Sequence, residues 1–275
     1  MKNISKPDKD KEKATAWTFK EKAACMLAVI IVCACLLVER AGWQNSTWMA
    51  GSSNGKKAAG ENAMQPGQAK KTAYLTFDDG PSCLTESYLD ILKEEGAKAT
   101  FFLIGQQIDG DMAGIIKREI DEGHEIGVHT YCHEANEIYA NEESCFKDIM
   151  KIKELLERQF NYEAKLVRFP WGSANSYIST FRNNIINKVH ENGMEYADWN
   201  VSAEDSVGTP TAYSIMSNIR KDYKKYNDPV ILMHDSSCNK QTLETLRDVI
   251  RELKDAGYSF ATLSEREKPC HFLEK

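Results

Sequence analysis

Residues 73–82 read AYLTFDDGPS and join a short apolar run to two adjacent carboxylates and a Gly-Pro turn. A short run of this composition predicts a buried β-strand, and the turn residues predict where it ends. Further runs of this kind occupy residues 99–103, 124–128, 166–169, 196–201, 230–233 and 259–262. The sequence therefore predicts seven strands, the first of which ends in a pair of aspartates.

Longer amphipathic segments separate these strands. The predicted helices occupy residues 87–95, 111–122, 143–160, 177–191, 211–226 and 241–256. Strands that alternate with helices form parallel sheets, because each helix carries the chain back to the start of the next strand. The pattern predicts an α/β fold, a distorted (β/α) barrel of about seven parallel strands. An open doubly wound sheet is the alternative, since periodicity does not decide whether the sheet closes.

The N-terminal region predicts a single-pass membrane protein. Residues 23–38, AACMLAVIIVCACLLV, carry no charge and follow a lysine-rich segment, residues 1–22. An uncharged run of this kind is typical of a transmembrane signal anchor, and the lysines are expected to stay in the cytoplasm. A cleaved signal peptide is the alternative. In either case we expect the remainder of the chain to lie outside the cell, at the cell membrane.

The rest of the chain divides into three parts. Residues 39–71 are rich in Gly, Ser, Asn, Ala and Lys without apolar periodicity, which predicts a flexible linker. Residues 72–267 form the predicted catalytic domain, and residues 268–275 a C-terminal tail. The net charge of -6, without a basic stripe, argues against a nucleic-acid partner. The sequence does not indicate an oligomeric state.

A second polar cluster, HTYCH at residues 129–133, directly follows the third predicted strand. If the chain turns helically there, His129 and His133 lie on one face and can reach one divalent ion. Two histidines and an aspartate are typical of hydrolytic zinc sites and equally of non-haem iron enzymes. A pair of surface histidines is the structural alternative.

Two further clusters also end predicted strands. Arg168 lies in RFPWG and can hold a carboxylate, although a salt bridge at the barrel rim is an alternative. His234 ends the run LMH. Active sites of α/β barrels and open sheets assemble at the carboxyl ends of strands. Because all four clusters lie at such ends, the sequence predicts a metal-assisted hydrolase.

The series TFDDG, HTYCH, RFPWG and LMH resembles the polysaccharide deacetylase (NodB-homology) family of carbohydrate esterases over about residues 72–265. The resemblance implies a distorted barrel of seven strands and one divalent metal ion, with zinc expected and cobalt or another divalent ion as alternatives. It implies these roles: metal ligands Asp79, His129 and His133; general base Asp78; general acid His234; Arg168 orienting the base; and Asp205 paired with the acid.

The substrate side of the resemblance involves three apolar residues. Leu232 is expected to line the acetyl pocket. The family usually has an Asp-Trp pair where this chain has Asp205-Ser206, so Trp171 or Trp199 is expected to supply the aromatic wall. The implied reaction removes N-acetyl groups from a cell-wall polysaccharide, and the expected substrate is the N-acetylglucosamine of peptidoglycan. An O-acetyl esterase of the xylan type and a membrane-tethered carbohydrate-binding protein are the alternatives.

Overall fold

The computed structural model describes residues 71–108 and 110–272. The predicted cytoplasmic tail, membrane anchor and nearly all of the linker lie outside the described residues. Among the residues that are described, no helix combines the length and the apolar character needed to span a membrane.

Eight strands form the sheet, and every pair of neighbours runs parallel. Seven of them follow the order β5-β4-β3-β2-β1-β7-β6, and β8 pairs with the first residues of β1. The strands are β1 (Lys71–Gly80), β2 (Ala99–Ile104), β3 (Glu125–Thr130), β4 (Leu166–Val167), β5 (Glu195–Tyr196), β6 (Val201–Ser202), β7 (Val230–His234) and β8 (Tyr258–Phe260).

Helices connect most of the strands, at close to the predicted positions. They are α1 (Thr85–Glu94), α2 (Ala113–Asp121), α3 (Ala135–Ile138), α4 (Glu142–Phe160), α5 (Arg182–Glu191), α6 (Ala212–Asp222) and α7 (Lys240–Asp255). The single-turn helix α3 was not predicted. Helix α5 starts five residues later than predicted, because residues 177–181 form turns instead.

The prediction of one strand over residues 196–201 is wrong, because the chain forms two separate strands there. Strands β5 and β6 end the sheet on opposite sides, yet only residues 197–200 connect them. In a flat sheet six strand spacings would separate them by about 29 Å, whereas five residue steps span at most about 18 Å. The sheet must therefore curve into an incomplete barrel, which is consistent with the predicted distorted (β/α) barrel.

The two faces of β1 have different environments, which set the direction of the active-site residues. Ala73, Leu75 and Phe77 belong to the large apolar core that includes the helices. Tyr74 and Thr76 lie on the other face of the strand, and Tyr74 belongs to a smaller cluster inside the curved sheet. Since side chains alternate along a strand, Asp78 continues this inner face.

Residues 270–272 of the predicted C-terminal tail pack against the catalytic domain. The carbonyl oxygen of Cys270 accepts a hydrogen bond from the backbone N–H of Asp198 (2.6 Å). The backbone N–H of Phe272 donates to Asp198 Oδ2 (2.9 Å), and its ring packs edge-on against Trp199 at 4.7 Å between ring centroids. The chain end therefore covers part of the inner cluster.

Candidate active site

The three predicted metal ligands meet at the carboxyl ends of β1 and β3. Asp79 Oδ1 lies 3.4 Å from His129 Nε2 and 3.3 Å from His133 Nε2. The three ligand atoms all lie within 4.8 Å of one another. Such spacing allows one divalent ion to contact all three residues.

The donor chemistry of these residues also fits a cation. His129 Nδ1 lies 2.8 Å from the carbonyl oxygen of Arg168, which can only accept, so Nδ1 carries the hydrogen and a neutral ring directs its Nε2 lone pair towards Asp79. Asp79 Oδ1 is buried without a hydrogen-bond partner. Burial by itself would lower the pKa of His129, but Asp78 and Asp79 raise it overall. The site therefore attracts positive charge.

The backbone at Asp79 explains how two consecutive carboxylates reach one site. Its φ is +71°, and the pairing of β1 with β2 shifts register between Asp78 and Gly80. Without this break, strand alternation would direct Asp79 away from Asp78. Burial raises the pKa of Asp79, but His129, His234 and His133 together lower it to about 2. Asp79 is consequently an anion at neutral pH.

His133 reaches the site through a bend, so the predicted helical turn over residues 129–133 is wrong. Its φ is +57°, and its backbone N–H donates to Thr130 Oγ1 (3.3 Å). Asp148 on α4 holds this bend, since its Oδ1 accepts from the Thr130 hydroxyl (2.6 Å) and from the backbone N–H of Tyr131 (2.7 Å). The two imidazoles meet through this anchored bend rather than by helical spacing.

Arg168 is completely buried and binds the Asp78 carboxylate. Its Nη1 donates to Asp78 Oδ1 (2.9 Å) and to Thr76 Oγ1 (2.7 Å). Its Nε and Nη2 donate to the carbonyl oxygens of Ala197 and Asp198, both at 3.0 Å. A guanidinium held by four acceptors cannot rotate, so it fixes the orientation of Asp78.

Glycine at position 127 makes room for this arginine. The Arg168 guanidinium carbon lies 4.2 Å from the centre of the Phe102 ring, a cation–π contact inside the barrel. A Cβ atom at Gly127 would lie only 2.5 Å from that ring. Any side chain there would displace Phe102 and the arginine above it.

His234 is held by Asp205, the pairing that the family resemblance implied. Its Nδ1 lies 2.8 Å from Asp205 Oδ1, and Thr242 donates its hydroxyl to Oδ2 (2.7 Å). Burial lowers the pKa of His234, but the bond to Asp205 and its charge outweigh burial and raise that pKa to about 9. The imidazole is therefore protonated at neutral pH and can donate from Nε2.

The β1–β7 ladder sets Asp78 and His234 side by side. The two residues are register partners in this parallel pair of strands. Neighbouring strands lie about 4.8 Å apart, so the Asp78 carboxylate and the protonated imidazole of His234 border the metal-ligand cluster. This is the arrangement that a general base and a general acid require.

Asp235 is a site residue that the sequence reasoning missed, although it directly follows His234. It is fully buried, and its carboxylate accepts from the hydroxyls of Ser82 (2.7 Å) and Thr85 (2.5 Å). Its backbone N–H donates to the carbonyl oxygen of Asp78 (2.7 Å). Asp235 thereby ties the end of β7 to the turn after β1.

The predicted substrate residues occupy different surroundings. Trp171 is 50% exposed, and its ring centroid lies 5.2 Å from that of His133. Leu232 is buried on β7. Trp199 is partly buried against the inner cluster and packs on Phe272. The structure therefore brings Trp171 next to His133, and the substrate roles of Trp171, Leu232 and Trp199 stay predictions.

Comparison with known proteins identifies the family. A family model described as polysaccharide deacetylase matches residues 65–197. A peptidoglycan-N-acetylglucosamine deacetylase of Bacillus cereus is 32% identical over 216 residues, which cover 75% of this chain and 74% of the relative. This chain belongs to the polysaccharide deacetylase family. Membership in the polysaccharide deacetylase family makes it a hydrolase of N-acetyl amide bonds, and the predicted resemblance is confirmed.

Two further polysaccharide deacetylase relatives agree with this result. The catalytic domain of a peptidoglycan N-acetylglucosamine deacetylase from Eubacterium rectale superposes with a TM-score of 0.68 at 30% identity, covering 78% of this chain and 96% of that domain. A bifunctional xylanase/deacetylase of Pseudobutyrivibrio xylanivorans is 32% identical over 217 residues, which cover 79% of this chain and 33% of the relative. The match with the bifunctional relative thus spans most of this chain and about a third of that longer protein.

Proposed function

We propose that this chain is a metal-dependent deacetylase that removes N-acetyl groups from peptidoglycan N-acetylglucosamine. The observation that carries the proposal is the cluster of Asp79, His129 and His133 beside an arginine-held Asp78 and an aspartate-held His234. In this proposal these groups supply a cation site, a base and an acid next to one another. Metal-assisted hydrolysis of an amide by water uses all three.

Zinc is the ion that we propose for Asp79, His129 and His133, with cobalt or another divalent ion as alternatives. Two imidazoles and one carboxylate are a common ligand set of hydrolytic zinc sites. When bound to these three residues, such an ion would act as a Lewis acid on the acetamide carbonyl and would lower the pKa of the attacking water.

Asp78 acts as the general base in this proposal. Arg168 occupies one of its two carboxylate oxygens, and this contact leaves the carboxylate fixed in orientation. Asp78 takes a proton from the attacking water as the water oxygen adds to the acetamide carbon. Positioned acid–base groups of this kind typically contribute about 10²- to 10⁴-fold to a rate.

His234 acts as the general acid. It donates its Nε2 proton to the amide nitrogen as the carbon–nitrogen bond breaks, so acetate and a free amino sugar leave. The Asp205 carboxylate, 2.8 Å from Nδ1, stabilises the protonated imidazole before the transfer. Leu232 is proposed to line the pocket for the acetyl methyl group, and Trp171 and Trp199 to contact the sugar.

The choice of polymer rests on the names of two relatives and on the proposed location of the domain. The relatives from Bacillus cereus and Eubacterium rectale are both named peptidoglycan N-acetylglucosamine deacetylases. The proposed membrane anchor at residues 23–38 and linker at residues 39–71 export the domain and keep it within tens of Å of the membrane, where cell-wall glycans lie.

Acetate release separates this function from its rivals. The full-length chain and its Asp78→Asn variant are incubated separately with peptidoglycan and with acetylated xylan. We expect release from peptidoglycan that depends on Asp78. Release from xylan alone favours an O-acetyl esterase, a candidate because one relative is a bifunctional xylanase/deacetylase. Binding of glycan without any release identifies a carbohydrate-binding protein.

A further inference from the structure

Two half-exposed aromatic rings extend from the metal-ligand cluster across the surface. Trp171 and Tyr177 are each 50% exposed. The Trp171 ring lies 5.2 Å from the His133 ring, and Tyr177 follows at 5.4 Å from Trp171, measured between ring centroids. Adjacent exposed aromatic side chains beside a polar site are typical of ligand-binding surfaces.

A third ring supports this surface from below. Tyr139 is 8% exposed and stacks on Tyr177, with centroids 5.6 Å apart and planes inclined by 15°. Its hydroxyl donates to the carbonyl oxygen of Pro170 (3.1 Å), which fixes the ring. Tyr177 thus has one face against Tyr139, while half of its side chain remains exposed.

The loop that carries the two exposed rings is held by side-chain hydrogen bonds. Asn175 donates its amide hydrogens to the carbonyl oxygens of Pro170 (3.1 Å) and Gly172 (2.7 Å). Arg182 donates from Nε to Ser173 O (2.7 Å) and from Nη2 to Asn175 O (3.0 Å). A fixed loop pays little ordering entropy when a ligand binds, so the rings are prepared for binding.

The backbone at Trp171 adopts a left-handed conformation within a tight turn. Its φ is +63°, which is rare for a bulky side chain and persists only where surroundings enforce it. Strain of this kind concentrates at functional sites. Here it presents an indole, half exposed, next to a candidate metal ligand.

We infer that Tyr177, supported by Tyr139 and adjoining Trp171, forms a platform for a neutral pyranose ring next to the sugar whose acetamide is cleaved. This inference rests on the proposed function and adds a second sugar site to it. The platform consists of uncharged rings, whose negative faces attract the weakly positive C–H groups of a sugar. Tyr177 lies one ring further from His133 than Trp171, so the enzyme should favour oligomers over single sugars.

Binding to an inactive background tests the platform without relying on turnover. We measure the Kd of the N-acetylglucosamine pentamer and monomer in the full chain carrying Asp78→Asn, with and without Tyr177→Ala. Loss of one aromatic stacking contact should weaken pentamer binding by about tenfold and leave monomer binding unchanged. Tyr177→Phe keeps the ring and should bind like the parent. Tyr177→Leu keeps apolar volume without a planar face and should bind like the alanine variant.

Steady-state kinetics in the otherwise wild-type chain gives a second readout. Tyr177→Ala should raise KM for the pentamer by a similar factor while kcat stays unchanged, because Tyr177 does not contact the reacting atoms. Equal pentamer affinity in Tyr177→Ala and its parent would overturn the platform, as would full rescue by Tyr177→Leu. Failure of the wild-type chain to release acetate from any N-acetylated glycan would instead reject the proposed function.

Discussion

His234 Nδ1 lies 2.8 Å from Asp205 Oδ1, and the backbone N–H of His234 donates to Oδ2 of the same carboxylate (2.9 Å). One aspartate therefore fixes both the orientation and the charge of the proposed acid. Burial works against the charged imidazole, yet the bond and charge of Asp205 raise the pKa of His234 to about 9. The acid form is thus abundant at the pH where most enzymes work.

Asp205→Asn should move the alkaline limit of turnover to lower pH. The active form of an acid is protonated, so kcat falls as pH rises through the His234 pKa. The amide keeps the shape but removes the charge, so the pKa should fall from about 9 towards the ordinary 6.5. Turnover of the variant should decrease about tenfold per pH unit above the new pKa. Profiles of kcat between pH 6 and 10 measure this shift. The prediction is contradicted if kcat of the wild type and of Asp205→Asn declines over the same alkaline pH range.

Asp78→Asn should abolish most turnover and retain the metal. Asp78 is proposed to move a proton, whereas Asp79, His129 and His133 hold the ion. We expect kcat to fall by about 10²- to 10⁴-fold, the usual contribution of a general base. Elemental analysis should find the same metal content as in the wild type. His129→Ala is the matched variant and should lose the ion. Loss of metal from Asp78→Asn together with full metal content in His129→Ala would contradict these assignments of base and metal ligand.

Asp235→Asn should weaken metal binding without touching a ligand. The carboxylate accepts from Ser82 and Thr85 and so holds the turn that follows Asp79. In asparagine an NH2 group replaces one of the two oxygens, and this group cannot accept a hydrogen bond from a hydroxyl. Loss of such a supporting contact typically reduces metal affinity 10- to 100-fold. Ser82→Ala removes only one of the bonds and should give a smaller loss, and unchanged affinity in both variants would refute this role.

Glu119 on α2 should make the protein less stable as pH rises. Its side chain is fully buried, and neither carboxylate oxygen has a hydrogen-bond partner. Burial raises its pKa well above the ordinary 4.5, and the negative charge of Asp235 raises it further. Above pH 4.5 the unfolded chain releases this proton while the native chain keeps it, so the free energy of unfolding falls until pH passes the native pKa.

Glu119→Met tests this relationship by calorimetry at several pH values. The variant should gain about 1–3 kcal/mol at neutral pH, because it removes a buried polar group without partners. Glu119→Gln is the matched control, since it removes the titration but keeps the polar group. Both should flatten the dependence of unfolding on pH. A wild-type stability that rises between pH 5 and 8 more steeply than in both variants would contradict the account.

The strands were largely predictable because apolar runs end at turn residues, as residues 73–82 do. Residues 196–201 misled the prediction, since the local sequence contains no signal that the two ends of this segment pair with different neighbours. Only the curvature of the sheet, which brings β4 near Ala197 and β7 near Asn200, separates them into two strands. Such information lies in tertiary contacts rather than in local pattern.

The position of the site was predictable where a polar residue directly follows an apolar strand in the sequence, as Asp79, His129 and His234 do. The bend at His133 was not, because a left-handed φ at a histidine has no signal in residue type. Asp235 carried a weak signal, since an acidic residue follows the last motif. Tyr177 carried none, because it acquires meaning only beside Trp171 in the folded chain.

Acetate release from peptidoglycan by the full-length chain, with and without a chelator, tests the central claim most directly. The metal-dependent account predicts that chelation lowers release by more than about 100-fold and that added zinc restores it. It also predicts that His129→Ala shows neither bound zinc nor recovery. Undiminished release in chelator, from protein confirmed to be free of metal, would contradict the account.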